Sequence, residues 1–198
     1  MRTNLIRSVV LTLVVLLVCG VAYNAAGWAI AQAAFHAQAN GSITQNGSSL
    51  IGQPWSPMTN GVPSIDPRWF QGRPDPDNPL ELDGAPGSSG ASNLGPRSSV
   101  LVSDVQALIA AWHKVGVDPT PDLVTTSGSG LDPDISPLDA AVQVPMVARA
   151  RHLSDAAVRQ LVRAETRGAQ YGFLGAPYLN VLALNEALAR LVATGSRR

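Results

Sequence analysis

From residue 8 to residue 35 the chain runs SVVLTLVVLLVCGVAYNAAGWAIAQAAF without one charged residue. A helix crosses the hydrocarbon core of a bilayer with roughly 20 apolar residues, and residues 9–28 supply that length. The expected span is 9–30, with Val9, Leu13, Leu17, Val21 and Trp28 as anchor residues in lipid. Tyr23 and Trp28 fall toward its far end, where amphipathic rings favour the membrane–water interface. Arg2 and Arg7 precede the run, and the next Lys or Arg after it is Arg68. That asymmetry predicts residues 1–8 in the cytoplasm and residues 31–198 outside. The competing reading is a cleaved leader, with AQA at 31–33 as the cleavage site, which would free the remainder as an exported binding module. The length of the uncharged run and the alanines after Gly20 favour a retained helix.

Charge excludes one class of partner. The 14 basic and 14 acidic residues cancel and are scattered, so nucleic acid finds no electrostatic footprint. The single Cys19 cannot form an intrachain disulfide, and His36, His113 and His152 lack metal-ligand spacing.

After the run, HAQANGSITQNGSSLIG (36–52) carries Asn-Gly pairs at 40–41 and 46–47 that predict turns. Residues 42–44 and 48–51 are then short strands or extended arms. Residues 53–97, dense in Pro, Gly, Ser and Asp, read as a long loop region. The second half is more regular. Leu101, Val105, Leu108 and Trp112 recur at helical spacing, predicting a helix over 99–114 that Gly116 ends. The β-branched content of DLVTTS (122–127) predicts a short strand. Ser136, Pro137 and Asp139 stand in the order of a helix cap, first turn and dipole partner. Pro145 should break or restart that helix, since it lacks an N–H and clashes with the preceding turn. Ser154 caps the next helix, which uses Val158, Leu161 and Val162 and ends near Gly168. QYGFLG (170–175) reads as a short strand or extended connection, and a last helix over 180–193 buries Val181, Leu184, Leu188 and Leu191. The expected architecture is a mixed α/β (α+β) extracytoplasmic domain on a single N-terminal transmembrane helix.

The stretch TTSGSGLDPDISP (125–137) concentrates glycines, hydroxyls and carboxylates. Gly-rich turns beside a helix can aim several N–H groups at a phosphate, which makes Ser127, Gly128, Ser129 and Gly130 the candidate nucleotide segment. A P-loop also needs Gly-x-x-x-x-Gly-Lys-Ser/Thr, and a dinucleotide fingerprint needs a third glycine; neither is present. Asp132 and Asp134 have the two-residue spacing of a calcium loop without its Gly and Glu. The stretch therefore reads as a turn and a partner surface: Gly128 and Gly130 for positive φ or close packing, Leu131, Asp132 and Pro133 to shape it, and Ser136 and Pro137 to open a helix. On this reading Gly128 and Gly130 matter more than Ser127. No nucleophile, base and oxyanion donor assemble, so no catalytic residue and no metal ligand is assigned.

The strings ANGS, LIGQ, RWFQGRP, SNLGP, DLVTTSGSGLDPDISP, QVPMVARAR and GFLGAPYLNVLALNEAL, in this order behind a hydrophobic helix, closely resemble the C subunit of the Kdp-type potassium-transporting ATPase. The resemblance implies a non-catalytic accessory subunit of a high-affinity potassium pump in the plasma (inner) membrane. Its implied partners are a channel-like potassium-binding subunit, a P-type catalytic subunit that hydrolyses ATP, a small single-span subunit and the lipid bilayer. ATP and Mg2+ then belong to the catalytic subunit and K+ to the pore subunit, with no cofactor held directly by this chain. The family's C subunit is described as a catalytic chaperone that raises nucleotide affinity, and its glycine-rich segment, here Ser127–Gly130, as an ATP contact. An outward-facing loop opposes that contact, so an effect on nucleotide use would pass through the partners. A nucleotide-binding regulator is the alternative if the loop faces the cytoplasm. The chain departs from the family string at Asp134, where His is usual, at Val142 for Tyr, at Ala176 for Glu, and at Glu165 in a His-Thr pair, and it carries extra sequence around 57–64.

Overall fold

The computed structural model describes residues 2–53, 55–56, 58–59, 62–74 and 89–195. The chain divides into two compact units, Met1–Ile43 and Thr44–Arg198.

The first unit is one long helix and a short turn. Helix α1 (Arg2–Val15) continues through a π-helical stretch (Leu16–Ala22) into α2 (Tyr23–Ala34), and a single turn, α3 (His36–Ala39), follows. Arg2–Ala34 is long and apolar enough to cross a membrane, and Val9, Leu13, Leu17, Val21 and Trp28 all stand exposed on it. Two of its polar side chains bond back to the helix's own carbonyls. Thr12 donates to the Ser8 carbonyl at 2.9 Å, and Asn24 donates to the Gly20 carbonyl at 2.7 Å. The helix exceeds the 9–30 span at both ends because nothing in residues 2–8 or 31–34 breaks it.

The second unit is helix-rich, and helices rather than sheets carry the expected mixed fold. Its helices are α4 (Ser99–Lys114), a 3-10 turn (Pro121–Val124), α5 (Pro137–Arg151), α6 (Asp155–Glu165) and α7 (Val181–Gly195). Among the described residues every strand is two residues long. The pairs are β1 (Ile43–Thr44) with β2 (Gly47–Ser48), β3 (Met58–Thr59) with β4 (Val62–Pro63), and β5 (Asp134–Ile135) with β6 (Leu179–Asn180). The last is antiparallel, with Asp134 opposite Asn180 and Ile135 opposite Leu179. Phe70, Leu108, Trp112, Leu123, Val144, Val147, Val158, Leu184 and Leu188 form the core.

Local expectations fail where packing overrides them. DLVTTS does not make a strand: Pro121 opens a 3-10 turn, and the adjacent Leu123 and Val124 are both buried, which an alternating strand would not allow. Pro145 does not end α5. A helix-interior proline costs about 3 kcal/mol, but burying Val144, Met146 and Val147 around it contributes roughly 1.5–3 kcal/mol each. QYGFLG is a tight turn closed by hydrogen bonds between Gln170 and Leu174 at 2.8 and 2.9 Å, with Tyr171 (φ 55°) and Gly172 (φ 81°) in the left-handed region. It leaves Tyr171 80% and Phe173 76% exposed. In the 48–51 segment, pairing stops at Ser48.

The largest departure lies in the Pro/Gly-rich region 53–97, much of which falls outside the described residues. Residues 65–71 are not surface loop, because Ile65, Asp66, Phe70 and Gln71 are buried. Two helices hold this segment with side-chain amides in place of a strand partner. Asn185 of α7 accepts from the Phe70 N–H and donates to the Phe70 carbonyl, both at 2.9 Å. Gln143 of α5 accepts from the Gln71 N–H at 2.8 Å and donates to the Gln71 carbonyl at 3.1 Å. Arg151 donates from Nε to the Arg68 carbonyl at 2.7 Å and lies 4.0 Å over the Trp69 ring. Beside it, burial raises the Asp66 pKa, but hydrogen bonds from the Arg68 side chain and backbone, with the charges of Arg68 and Arg151, outweigh it and leave the carboxyl below its ordinary value.

Candidate functional site

The glycine-rich stretch folds as a series of side-chain-closed turns. Ser127 is only 6% exposed, and its Oγ accepts from the Gly130 N–H at 2.9 Å. Ser129 Oγ accepts from the Leu131 N–H at 3.2 Å, and Asp132 Oδ1 from the Asp134 N–H at 3.1 Å. The N–H groups of residues 130, 131 and 134 are thus occupied by the loop's own hydroxyls and carboxylate. Only one of the two glycines is required by conformation: Gly130 has φ +69°, whereas Gly128 lies outside the left-handed region with open space where a Cβ would stand. The expectation that Gly128 outranks Ser127 is therefore reversed, since Ser127 closes the turn and Gly128 is free of constraint.

Residues far away in the chain fix the loop from below. Arg73 donates to the Thr125 and Thr126 carbonyls at 3.4 and 3.2 Å, and stands 3.7 Å from Asp122 and 3.8 Å from Asp132. The Gly52 N–H meets the Leu131 carbonyl at 2.8 Å, so close that a Cβ on Gly52 would lie 2.9 Å from the Asp132 carbonyl oxygen. The cavity left between Gly52, Arg73, Gly130, Asp132 and Pro133 is about 10 Å³. That is room for one water at most, against some 300–1,000 Å³ for an organic ligand.

Downstream the loop becomes a sheet pair and then a helix. The Val181 N–H donates to the Pro133 carbonyl at 2.9 Å, and Asn180 Nδ2 joins Asp134 Oδ1 at 3.1 Å to the Ser49 carbonyl at 3.0 Å. Burial raises the Asp134 pKa, opposed by the Asn180 hydrogen bond and aided by the charge of Asp132. Pro137 sits at the start of α5 behind a reciprocal cap: Ser136 Oγ accepts from the Asp139 N–H at 3.1 Å, and Asp139 Oδ2 accepts from the Ser136 N–H at 2.8 Å. The other Asp139 oxygen accepts from Thr120. The positive end of α5 is filled by this buried carboxylate.

Sequence reading finds Ser136, Pro137 and Asp139 because a cap is local. It assigns no role to Gly52, Arg73, Gln143 and Asn185, although the strings LIGQ, RWFQGRP, QVPMVARAR and GFLGAPYLNVLALNEAL contain all four.

Comparison with known families settles what this scaffold belongs to. The family model described as K+-transporting ATPase, c chain (KdpC) matches residues 5–190, from the apolar helix through α7. The chain belongs to the KdpC family. It is 46% identical over 197 residues to a potassium-transporting ATPase KdpC subunit of Burkholderia vietnamiensis, covering 95% of this chain and 96% of the relative. It is 47% identical over 195 residues to that of Burkholderia ambifaria, covering 93% and 95%. With the KdpC subunit of Sorangium cellulosum the identity is 45% over 197 residues, covering 95% and 98%. The apolar helix of the first unit is consistent with a single-pass membrane anchor in this family.

Proposed function

We propose that this chain is the non-catalytic accessory subunit of an ATP-driven, high-affinity potassium uptake pump. The carrying observation is the family match over residues 5–190, which takes in both the apolar helix and the packed unit. Arg2–Ala34 anchors the chain in the inner membrane with its N-terminus inside, and Thr44–Arg198 packs outside on the channel-like potassium-binding subunit. The P-type catalytic subunit holds ATP and Mg2+, the pore subunit holds K+, and a small single-span subunit completes the complex. Any gain in nucleotide affinity passes through these partners. The reading is supported by the closed loop, whose N–H groups at 130, 131 and 134 are already taken and whose cavity beside Gly130, against Gly52 and Arg73, is about 10 Å³.

The test is purification from membranes of the tagged full-length chain co-expressed with its neighbouring subunits. Retention of a potassium-stimulated ATPase is expected, with the intact N-terminal helix visible by mass. In a Cys19→Ser background, Gln106→Cys should react with a membrane-impermeant thiol reagent in intact cells. Recovery of the chain alone, or of a soluble form lacking the helix, refutes the subunit reading; protection of residue 106 until lysis refutes the orientation.

A further inference from the structure

The second unit carries a groove on its surface where α5 and α6 meet. Ala141 lines a groove of about 210 Å³ between α5 and α6, together with Pro137 and Val144 on one wall and Val162 on the other. The rim is cationic: Arg159 and Arg163, one helical turn apart, line the same groove, and no carboxylate does. Arg159 reaches Asp155 only at 4.0 Å in an exposed pair, which holds it weakly, and among the described residues Arg163 has no ion pair. Leu138, three residues before Ala141 on α5 and 63% exposed, extends the apolar strip beyond the groove.

An apolar socket and two guanidinium forks are complementary to an acidic peptide segment. We propose that this groove receives a segment of another subunit of the potassium ATPase in which an apolar side chain is flanked by Asp or Glu. The apolar side chain fills the socket over Val144 and Val162, and the carboxylates meet Arg159 and Arg163. The inference rests on the subunit reading above and names one of its contacts.

A photo-cross-linking residue, p-benzoylphenylalanine, in place of Leu138 tests it in the assembled complex of the full-length chain. The expected product joins this chain to a peptide of another pump subunit carrying Asp or Glu within two residues of the attachment. Arg159→Glu with Arg163→Glu should lower the yield roughly tenfold or more, since the reversal sets like charges against the carboxylates of the segment. Both arginines are exposed, so the charge-reversed chain should keep the wild-type melting temperature while losing the cross-link, a combination that loss of folding cannot produce. Cross-links only to lipid, only to a second copy of this chain or to a peptide without carboxylates overturn the proposal, as does an undiminished yield in the charge-reversed variant. If the wild-type chain retains no other subunit, the subunit reading itself has failed, and this contact falls with it.

Discussion

Replacing Asn185 by Ala removes a wholly buried carboxamide that serves both backbone groups of Phe70. Each buried backbone group left without a partner costs about 1–3 kcal/mol, so the pair predicts a loss of about 2–6 kcal/mol. Against a typical total of about 5–15 kcal/mol, one substitution then consumes a large share of the stability of the second unit. At about 2–4 °C per kcal/mol for a domain of this size, the melting temperature should drop by roughly 4–24 °C. Trp69 adjoins the held peptide, its ring 5.1 Å from that of Trp55, so indole fluorescence of the full-length chain in detergent reads the transition. Gln143→Ala should cost a similar amount through Gln71, and the double variant should lose less than the sum, because either release frees the same segment. A shift below about 1 kcal/mol in both single variants would refute the reasoning, for it would mean that water or relaxation satisfies the segment and the amides do not hold it.

The remaining predictions separate residues that look alike in the sequence. Gly130→Ala should cost about 1–2 kcal/mol from its positive φ, while Gly128→Ala should be near neutral; equal effects in urea titrations would sink this distinction. Ser127→Ala strands the Gly130 N–H and should cost about 1–3 kcal/mol, more than Ser129→Ala at the exposed neighbour, as measured by the same unfolding midpoints. Because the folded Asp134 carboxyl keeps its proton to higher pH than the unfolded one, its contribution to stability falls as pH rises from about 4 through the raised value. Asp134→Asn should therefore gain on the wild type with increasing pH over that window, and a gain toward acid would contradict the assignment.

What the sequence disclosed was what neighbouring residues decide among themselves. Ser136, Pro137 and Asp139 specify a helix start within four positions, and Ser154 likewise caps a helix close to where periodicity begins. DLVTTS misled because β-branched content describes a surface to be packed, and here Leu123 and Val124 pack into the core from a 3-10 turn. Pro145 misled in the opposite sense, since a strong local rule yielded to burial on both sides of it. RWFQ shows no period of either kind, and its partners stand 72 and 115 positions away on helices whose own patterns give no reason to aim an amide at it. The two glycines of SGSG differ because a serine hydroxyl closes the turn on one of them, which spacing does not encode. The α5–α6 groove is legible only once the helices are placed side by side.

The amide grip on Phe70 also sets a timetable for biogenesis. Asn185 lies 115 residues after the peptide it secures. At about 5–20 residues per second, roughly 6–23 s of synthesis separate the two. Until α7 emerges, Phe70 and its backbone have no permanent place, so the second unit cannot close while the ribosome is still working through it. The apolar helix at the N-terminus emerges long before that moment. Maturation is then ordered from the first residues to the last: the apolar helix is complete early, the packing of Phe70 waits for Asn185, and a nascent chain stalled before position 185 leaves that peptide without its amide partner.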